Sequence, residues 1–182
     1  MKRAVVFLAE GFEEVEAVTP IDFLRRAGIE VITAGVGGAS IQGAHGIRIQ
    51  TEKNIEDLSM DNFDGIVIPG GMPGAANLAA APKVSQLLRD ASEAGKMIAA
   101  ICASPAVVLS PAGLLKGKSA TCYPGFEKDL VCGSFVEERV VIDGSIITSR
   151  GPGTAAEFAV KIIEYLAGAD AAKEVFTATL QK

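Results

Sequence analysis

Short apolar runs alternate along this chain with longer segments whose apolar residues recur at helical spacing. The short runs predict buried strands, and the longer segments, several of which end at glycine, predict the helices between them. The predicted strands are Arg3–Leu8, Glu30–Gly35, Gly65–Ile68, Met97–Ile101 and the hairpin of Val140–Asp143 with Ser145–Ser149. A smaller hairpin is predicted from Ile41–Gly43 and Ile47–Gln50. The predicted helices are Val15–Arg26, Ala81–Ala94, Thr154–Leu166 and Ala171–Thr177. This alternation predicts an α/β fold, with a mostly parallel sheet and helices on both faces.

Length, charge and cysteine content narrow the class of protein. A chain of 182 residues is expected to form a single domain, residues 1–182, with a full hydrophobic core. The formal net charge of -5 argues against a nucleic-acid-binding surface. Three cysteines, an odd number, argue against a disulfide framework and favour a reducing compartment, so we expect a cytoplasmic protein. No apolar run approaches the length of a membrane span, and no membrane partner is expected.

Cys102 lies where the predicted strand Met97–Ile101 ends and a helical segment begins, with Ser104 as the expected cap and Pro105 at the first helical position. On such a sharp turn we expect Cys102 to adopt a sparsely populated backbone conformation. The N–H groups and dipole of a helix N-terminus favour a thiolate, so the pattern predicts that Cys102 has the most depressed pKa of the three thiols. A buried structural cysteine is the alternative interpretation.

Two further loops are expected at the same edge of the sheet, beyond the carboxyl ends of the strands, where such folds bind ligands. The loop after Ile68 contains Gly70 and Gly71, whose backbone N–H groups, like that of Ala103, can hold a developing oxyanion. A thiol nucleophile also needs a group that can transfer a proton to or from it, and the loop after the first strand contains a cluster of glutamates that can do so. We interpret Glu13 and Glu14 in that cluster as solvated acids at a helix N-terminus.

Other motifs do not support other chemistries. Gly113–Ser119 is similar to a phosphate-binding loop, but it has three residues rather than four between its glycines and precedes a predicted strand. Gly35–Gly38 follows a strand, but no helix follows it, which argues against a dinucleotide site. His45 is the single histidine and lies in the small hairpin, so a surface or interface role is expected. No set of His, Cys and carboxylate residues has metal-ligand spacing, so neither a metal nor another cofactor is expected.

Five motifs, in this order and at this spacing, give the chain a resemblance to the ThiJ/PfpI superfamily and, more narrowly, to its DJ-one branch. They are Gly11–Glu16, Arg25–Ile29, Pro69–Gly71, Ala99–Ala103 and Thr148–Thr154. The resemblance implies a flavodoxin-like three-layer sandwich and a homodimer. It makes Cys102 the reactive cysteine and Glu16 the carboxylic acid that contacts its sulfur. It also makes Gly70, Gly71 and Ala103 the donors of the oxyanion site.

The activities implied by the resemblance are those of a glutathione-independent glyoxalase and of a deglycase. The substrates would be methylglyoxal and glyoxal, or proteins and nucleotides modified by them, with Cys102 as nucleophile and Glu16 as acid and base. Tyr123 occupies the pocket position where some relatives have histidine, and its reference pKa of about 10 makes it a poor base. Ala103 stands where the peptidase members have histidine, which argues against a peptidase. The alternative is a non-enzymatic oxidative-stress sensor or redox-regulated chaperone that works through oxidation of Cys102.

Two further expectations concern protonation and assembly. Because two close anions cannot both persist in a partly buried site, we expect Glu16 to be protonated when Cys102 is a thiolate, and the pair to titrate as a unit. The helix Val15–Arg26 and the hairpin Ile41–Gln50 are expected to form the dimer interface. Its expected apolar residues are Ala17, Val18 and Ile21, and its polar candidates are Asp22, Arg25, Arg26 and His45.

Overall fold

The computed structural model describes residues 1–182 and is built around one seven-stranded sheet. Its strands are β1 (Arg3–Leu8), β2 (Glu30–Gly35), β3 (Ser40–Gln42), β4 (Arg48–Gln50), β5 (Lys53–Asn54), β6 (Gly65–Ile68), β7 (Met97–Ile101), β8 (Ser119–Ala120), β9 (Ser134–Phe135), β10 (Val140–Asp143) and β11 (Ile146–Ser149). The main sheet has the order β10-β11-β7-β6-β1-β2-β5, and β10 is its one antiparallel strand. The predicted mostly parallel sheet is therefore confirmed.

Five α-helices cover the sheet: α1 (Glu14–Arg26), α2 (Gly74–Ala80), α3 (Pro82–Glu93), α4 (Ala155–Ala167) and α5 (Ala169–Ala178). α1 packs against α4, and α4 packs against α5. α3 packs against β6 and β7, and α2 packs against α3 and β1. The arrangement is the flavodoxin-like α/β fold that the resemblance implied. No helix is long and apolar enough to cross a bilayer.

The central strands are buried along nearly their whole length, which explains why they read as continuous apolar runs. Strands β6 and β7 have no exposed residue, and in β1 only Arg3 is partly accessible. A parallel strand with helices on both sides has no solvent face, so it has no reason to alternate apolar and polar residues. The core of 51 residues is continuous through these strands and the inner faces of the helices.

The sheet order brings the expected site loops together. β6 lies between β1 and β7 and pairs with both in parallel. The loops that follow these three strands therefore leave the same edge of the sheet, side by side. The small hairpin of β3 and β4 also reaches this edge, because Gly11 N–H donates to Gln42 C=O and Ala44 N–H donates to Phe12 C=O, each at 2.8 Å.

One expected interface residue is placed elsewhere by the fold. Ala17 is fully buried in the core of its own chain, so the expectation that it supplies apolar surface to a partner is wrong. Val15 and Val18 lie on the solvent side of α1, and their side chains are about half exposed. α1 presents an apolar stripe, but the stripe is formed by Val15 and Val18 rather than by Ala17.

Candidate active site

Cys102 has a backbone conformation that side-chain-bearing residues rarely adopt. Its φ of 67° lies in the left-handed region, and Leu180 near the C-terminus is the one other non-glycine residue with positive φ. The expected strain at Cys102 is confirmed. Hydrogen bonds on both sides hold the residue in place, since its N–H donates to Ser149 C=O at 3.0 Å and its C=O accepts from Tyr123 N–H at 2.8 Å. Strain of this kind, roughly 1–3 kcal/mol, persists only where the surroundings enforce it.

The segment after Cys102 differs from the sequence-based expectation. Ser104 does not cap a helix: its backbone is already helical, and its hydroxyl donates to Pro69 C=O at 2.6 Å. The residues that follow form one short π-helical stretch, Pro105–Leu109, rather than a long α-helix. The hydroxyl of Ser104 thus joins the cysteine turn to the glycine loop after β6, instead of satisfying an N–H group of its own helix.

Glu16 brings a buried carboxyl group to the same place from the first turn of α1. Its side chain is inaccessible to solvent, and Gly70 N–H donates to its Oε2 at 2.7 Å. Glu16 and Cys102 meet over Gly70, where an added Cβ would lie 2.7 Å from Glu16 Oε2 and 3.0 Å from Cys102 Sγ. A Cβ at residue 70 would lie 2.5 Å from the Cβ of Cys102, so only glycine allows this approach. The N–H of Gly70 therefore holds the acid and is not free for an oxyanion, contrary to the expected role.

The backbone N–H groups of Gly71 and Ala103 lie near enough to the Cys102 sulfur to lower its pKa. Gly71 has a φ of +87°, and a Cβ there would overlap the backbone nitrogen of Glu13 and the carbonyl oxygen of Gly11. The loop after β6 is therefore pressed against the loop after β1. These two N–H groups can stabilise negative charge on sulfur, or on an oxygen bonded to a carbon that sulfur has attacked.

Burial raises the pKa values of both Glu16 and Cys102, and the charge of Glu16 raises that of Cys102 further. Burial raises the pKa of Glu16 to about 7, although the hydrogen bonds from Gly70 and Cys102 lower it. Burial and the negative charge of Glu16 raise the pKa of the Cys102 thiol to about 12, against the lowering effect of the N–H groups of Gly71 and Ala103. The prediction that Cys102 has the lowest thiol pKa is therefore wrong while Glu16 is ionised, since burial raises the pKa of Cys122 only to about 11. The pair gives up one proton near neutrality and resists losing the second.

Tyr123 forms one wall of the space beside Glu16. Its ring lies over Gly151, where a Cβ would come within 3.0 Å of Tyr123 Cδ2 and 3.9 Å of Glu16 Oε1. Glu16 Oε1 is buried and has no hydrogen-bond partner. Glu16 Oε1 and the ring of Tyr123 thus both lie next to Gly151, which has no side chain to come between them. Gly151 was not singled out from the sequence, although it stands in the motif Thr148–Thr154.

Comparison with known proteins assigns the family. The chain matches the DJ-1/PfpI family over residues 2–165. It is 44% identical to protein dj-1beta of Drosophila melanogaster over 177 residues, which cover 96% of this chain and 94% of that protein. This chain belongs to the DJ-1/PfpI family. The family motifs identified in the sequence are therefore correctly assigned.

Other DJ-1/PfpI relatives extend the comparison. Glutathione-independent glyoxalase DJR-1.2 of Caenorhabditis elegans is 38% identical over 170 residues, covering 92% of this chain and 90% of the relative. The solved structure of oxidized Toxoplasma gondii DJ-1 superposes with a TM-score of 0.96 at 40% identity and covers 100% of this chain and 99% of that one. The chain spans only 46% and 40% of the lengths of DJ-1 homologs A and B of Arabidopsis thaliana.

A second group of ionisable side chains lies beside the site, and the sequence analysis missed it. The structure brings Glu13, Glu14 and His45 together, with ligand-type atoms within 4.8 Å of one another. The interpretation of Glu14 as a solvated acid is wrong, since the residue is 4% exposed. Hydrogen bonds to His45 and to backbone N–H groups lower the pKa of Glu14 against the opposing effect of burial. The hydrogen bond to Glu14 and the charges of both acids raise the pKa of His45. The spacing of residues in the sequence could not reveal this group, because His45 lies in the hairpin while the two glutamates lie at the start of α1.

Proposed function

We propose that this protein is a glutathione-independent glyoxalase that converts methylglyoxal to lactate and glyoxal to glycolate. The observation that carries the proposal is the strained Cys102 thiol beside the buried carboxyl group of Glu16, whose pKa burial raises to about 7. The 38% identity with a glyoxalase of Caenorhabditis elegans supports the same activity. Cys102 is only 9% exposed, which favours small aldehydes over bulky ones.

The first step joins sulfur to the aldehyde carbon. Before reaction the pair of Cys102 and Glu16 holds one proton and one negative charge. Sulfur attacks the aldehyde carbon, the carbonyl π-electrons move to oxygen, and the N–H groups of Gly71 and Ala103 hold that oxygen. The remaining proton of the pair passes to the oxygen. A neutral hemithioacetal results, and Glu16 is left as a carboxylate.

The second step moves a hydrogen from one carbon to its neighbour in two proton transfers. The Glu16 carboxylate removes the hydrogen on the carbon bonded to sulfur and passes it to the neighbouring carbonyl oxygen, which gives an enediol. Glu16 then takes the proton of the hydroxyl group on the sulfur-bearing carbon, which becomes the thioester carbonyl, and delivers it to the neighbouring carbon, which becomes an alcohol carbon. The product is a thioester of Cys102, and one carbon has been oxidised while its neighbour has been reduced. Water then cleaves the carbon–sulfur bond, releasing the hydroxy acid and the thiol. Glu16 Oε1, which has no partner within the protein, is the oxygen suited to this transfer.

The same groups support deglycase activity. A hemithioacetal or hemiaminal formed by methylglyoxal on a protein or nucleotide releases its aldehyde, which then enters the steps above. The hydroxyl group of Tyr123 can donate a hydrogen bond to the substrate. Glu16 is therefore the one acid and base in this scheme, and a peptidase reaction has no histidine to support it.

Assay of lactate formation from methylglyoxal without glutathione tests the proposal. We expect Cys102→Ala to abolish turnover, and Glu16→Gln to lower it at least 100-fold, since general acid–base catalysis contributes roughly that much or more. Cys132→Ala, which removes a thiol outside the site, is the matched control and should keep wild-type turnover. Alkylation of Cys102 by iodoacetamide in Glu16→Gln verifies that the site is intact. Full turnover in Glu16→Gln would exclude Glu16 as the acid and base.

Redox sensing is the second candidate, and the oxidized form of the Toxoplasma gondii relative favours it. In this scheme the Cys102 thiolate attacks a peroxide, breaks its O–O bond and releases water, and a second peroxide carries the sulfenic acid to a sulfinic acid. A protonated Glu16 would donate a hydrogen bond to the product. Peroxide-dependent formation of a sulfinic acid at Cys102, in a protein that makes no lactate, would favour the sensor over the glyoxalase.

We infer that the protein works as a homodimer. Val15 and Val18 form an exposed apolar stripe on α1, and Ile47 of the hairpin between β3 and β4 is 56% exposed. Apolar side chains grouped in this way are typical of a surface that a partner covers. A two-fold contact through this stripe matches the assembly that the resemblance implies.

A further inference from the structure

We propose that Glu13, Glu14 and His45 form a binding site for a divalent transition-metal ion such as Zn²⁺, separate from the pair of Cys102 and Glu16. The three side chains come from two elements, the start of α1 and the hairpin between β3 and β4. His45 is the single histidine of the chain. Its side chain is 69% exposed in the single chain, and it belongs to the surface of α1 and the hairpin that the inferred homodimer uses.

The two distances from His45 suit ligands that share one ion, and all three ligand atoms lie within 4.8 Å of one another. His45 Nδ1 lies 2.9 Å from Glu14 Oε2 and 3.6 Å from Glu13 Oε2. Nitrogen and oxygen ligands lie about 2.0–2.1 Å from Zn²⁺, so two of them are about 2.9 Å apart at a right angle and about 3.4 Å apart at the tetrahedral angle. Metal binding would replace the proton that Nδ1 shares with Glu14, and the fold would need to move little.

Glu14 is held in place for this role. One of its oxygens, Oε1, accepts hydrogen bonds from the backbone N–H groups of His45 at 2.7 Å and Ile47 at 3.3 Å. The carboxyl group also rests on Gly43, where any Cβ would overlap it. These contacts fix Oε1 and leave Oε2 directed at the imidazole. Second-sphere hydrogen bonds that orient a ligand in this way are a regular feature of metal sites.

The charge balance leaves room for a cation. Glu13 makes no side-chain hydrogen bond, and the one cationic group within 4.0 Å of either acid is His45. With a neutral His45 the group has two negative charges, which a divalent ion would neutralise. The mixture of one imidazole and two carboxylates favours Zn²⁺ and similar ions over Mg²⁺ or Ca²⁺, which prefer oxygen ligands alone.

Calorimetric titration of chelator-treated protein with Zn²⁺ tests the site. Thiols are themselves zinc ligands, so the titration uses the full chain carrying Cys102→Ser and Cys132→Ser, which removes the two that are not fully buried. We expect one Zn²⁺ per chain with micromolar or tighter affinity and a rise in melting temperature on binding. His45→Gln and Glu13→Gln should each weaken binding at least tenfold. Mg²⁺ in excess should not displace the zinc.

Glu10→Gln is the matched control, since it removes a carboxylate from the same loop but from outside the group. It should bind Zn²⁺ as the parent does. Glu13→Gln tests the proposal independently of the hairpin, because the Glu13 side chain holds no hydrogen bond that the fold needs. Absence of saturable binding at micromolar Zn²⁺ would overturn the site, and so would equal affinity in the parent, His45→Gln and Glu13→Gln.

Discussion

At the scale of single residues, Cys102 and Glu16 behave as one titrating unit. Their identities and their proximity could be predicted from the motifs, but the direction of the thiol pKa could not. The sequence indicates a helix N-terminus near Cys102, which lowers a thiol pKa. It does not reveal that Glu16 is inaccessible to solvent, nor that Gly70 N–H is committed to the acid. Burial and a neighbouring charge dominate the pKa of the thiol, and both depend on tertiary packing.

The raised pKa of Glu16 predicts a specific dependence of stability on pH. The pKa rises from its ordinary value of 4.5 to about 7 on folding, so the folded state favours the protonated acid. Below pH 4.5 both states are protonated, and the stability that this group contributes is fully present. Between pH 4.5 and about 7 the unfolded chain ionises while the folded chain keeps its proton, so the free energy of unfolding falls by roughly 3 kcal/mol in total and then levels off. Cys102, with a pKa of about 12, does not ionise in this range.

Glu16→Gln removes this titration and keeps the shape of the side chain. Urea unfolding at pH 4.5 and pH 8, in reducing buffer with a chelator, should show the variant gaining stability relative to wild type as the pH rises. The comparison between the two proteins cancels the other ionisable groups. A constant difference between them at both pH values would mean that the pKa of Glu16 is not raised on folding.

At the scale of elements, the strands were predictable and several short connections were not. The continuous apolar runs of β1, β6 and β7 follow from burial on both faces, so pattern and structure agree within a residue. α2 has the sequence GAANLAA, which is too short and too uniform for helical periodicity to show. The two-residue strands β5, β8 and β9 carry no pattern at all. The hydroxyl of Ser104 donates to the carbonyl group of Pro69 on a neighbouring loop. Local rules for helix caps cannot anticipate such a long-range contact.

The glycine loop after β6 gives a prediction about Gly71. Gly71→Ala adds a Cβ that overlaps the backbone of Glu13 and Gly11, in addition to the strain of a φ of +87°. Gly37 is the matched control, since its φ is +86° and a Cβ there meets nothing within 4 Å. Gly37→Ala should lower the free energy of unfolding by about 1–2 kcal/mol, the conformational contribution alone. Gly71→Ala should lower it by more and should reduce lactate formation. Equal losses of stability in urea unfolding would show that the loops are not in close contact.

At the scale of the whole molecule, the active site and the proposed dimer surface share one element. α1 carries Glu16 on its inner face and Val18 on its outer face. The loop before α1 is tied to the glycine loop, since Glu13 N–H donates to Gly70 C=O at 3.0 Å. A shift of α1 on loss of the partner would therefore move both the acid and the loop that holds it. The dimer is therefore expected to support the geometry of the site.

This coupling is tested by Val18→Asp, with Ile142→Asp as its control. The two side chains are 45% and 46% exposed, but Ile142 lies on β10 at the sheet edge farthest from α1 and β2. In a two-fold interface each substitution occurs on both subunits, so Val18→Asp places two charges in the contact. It should therefore shift the mass measured by analytical ultracentrifugation from that of a dimer to that of a monomer. It should also change the rate of Cys102 alkylation by iodoacetamide, whereas Ile142→Asp should leave both unchanged. A wild-type monomer at micromolar concentration would contradict the dimer, and a monomeric Val18→Asp with wild-type alkylation would contradict the coupling.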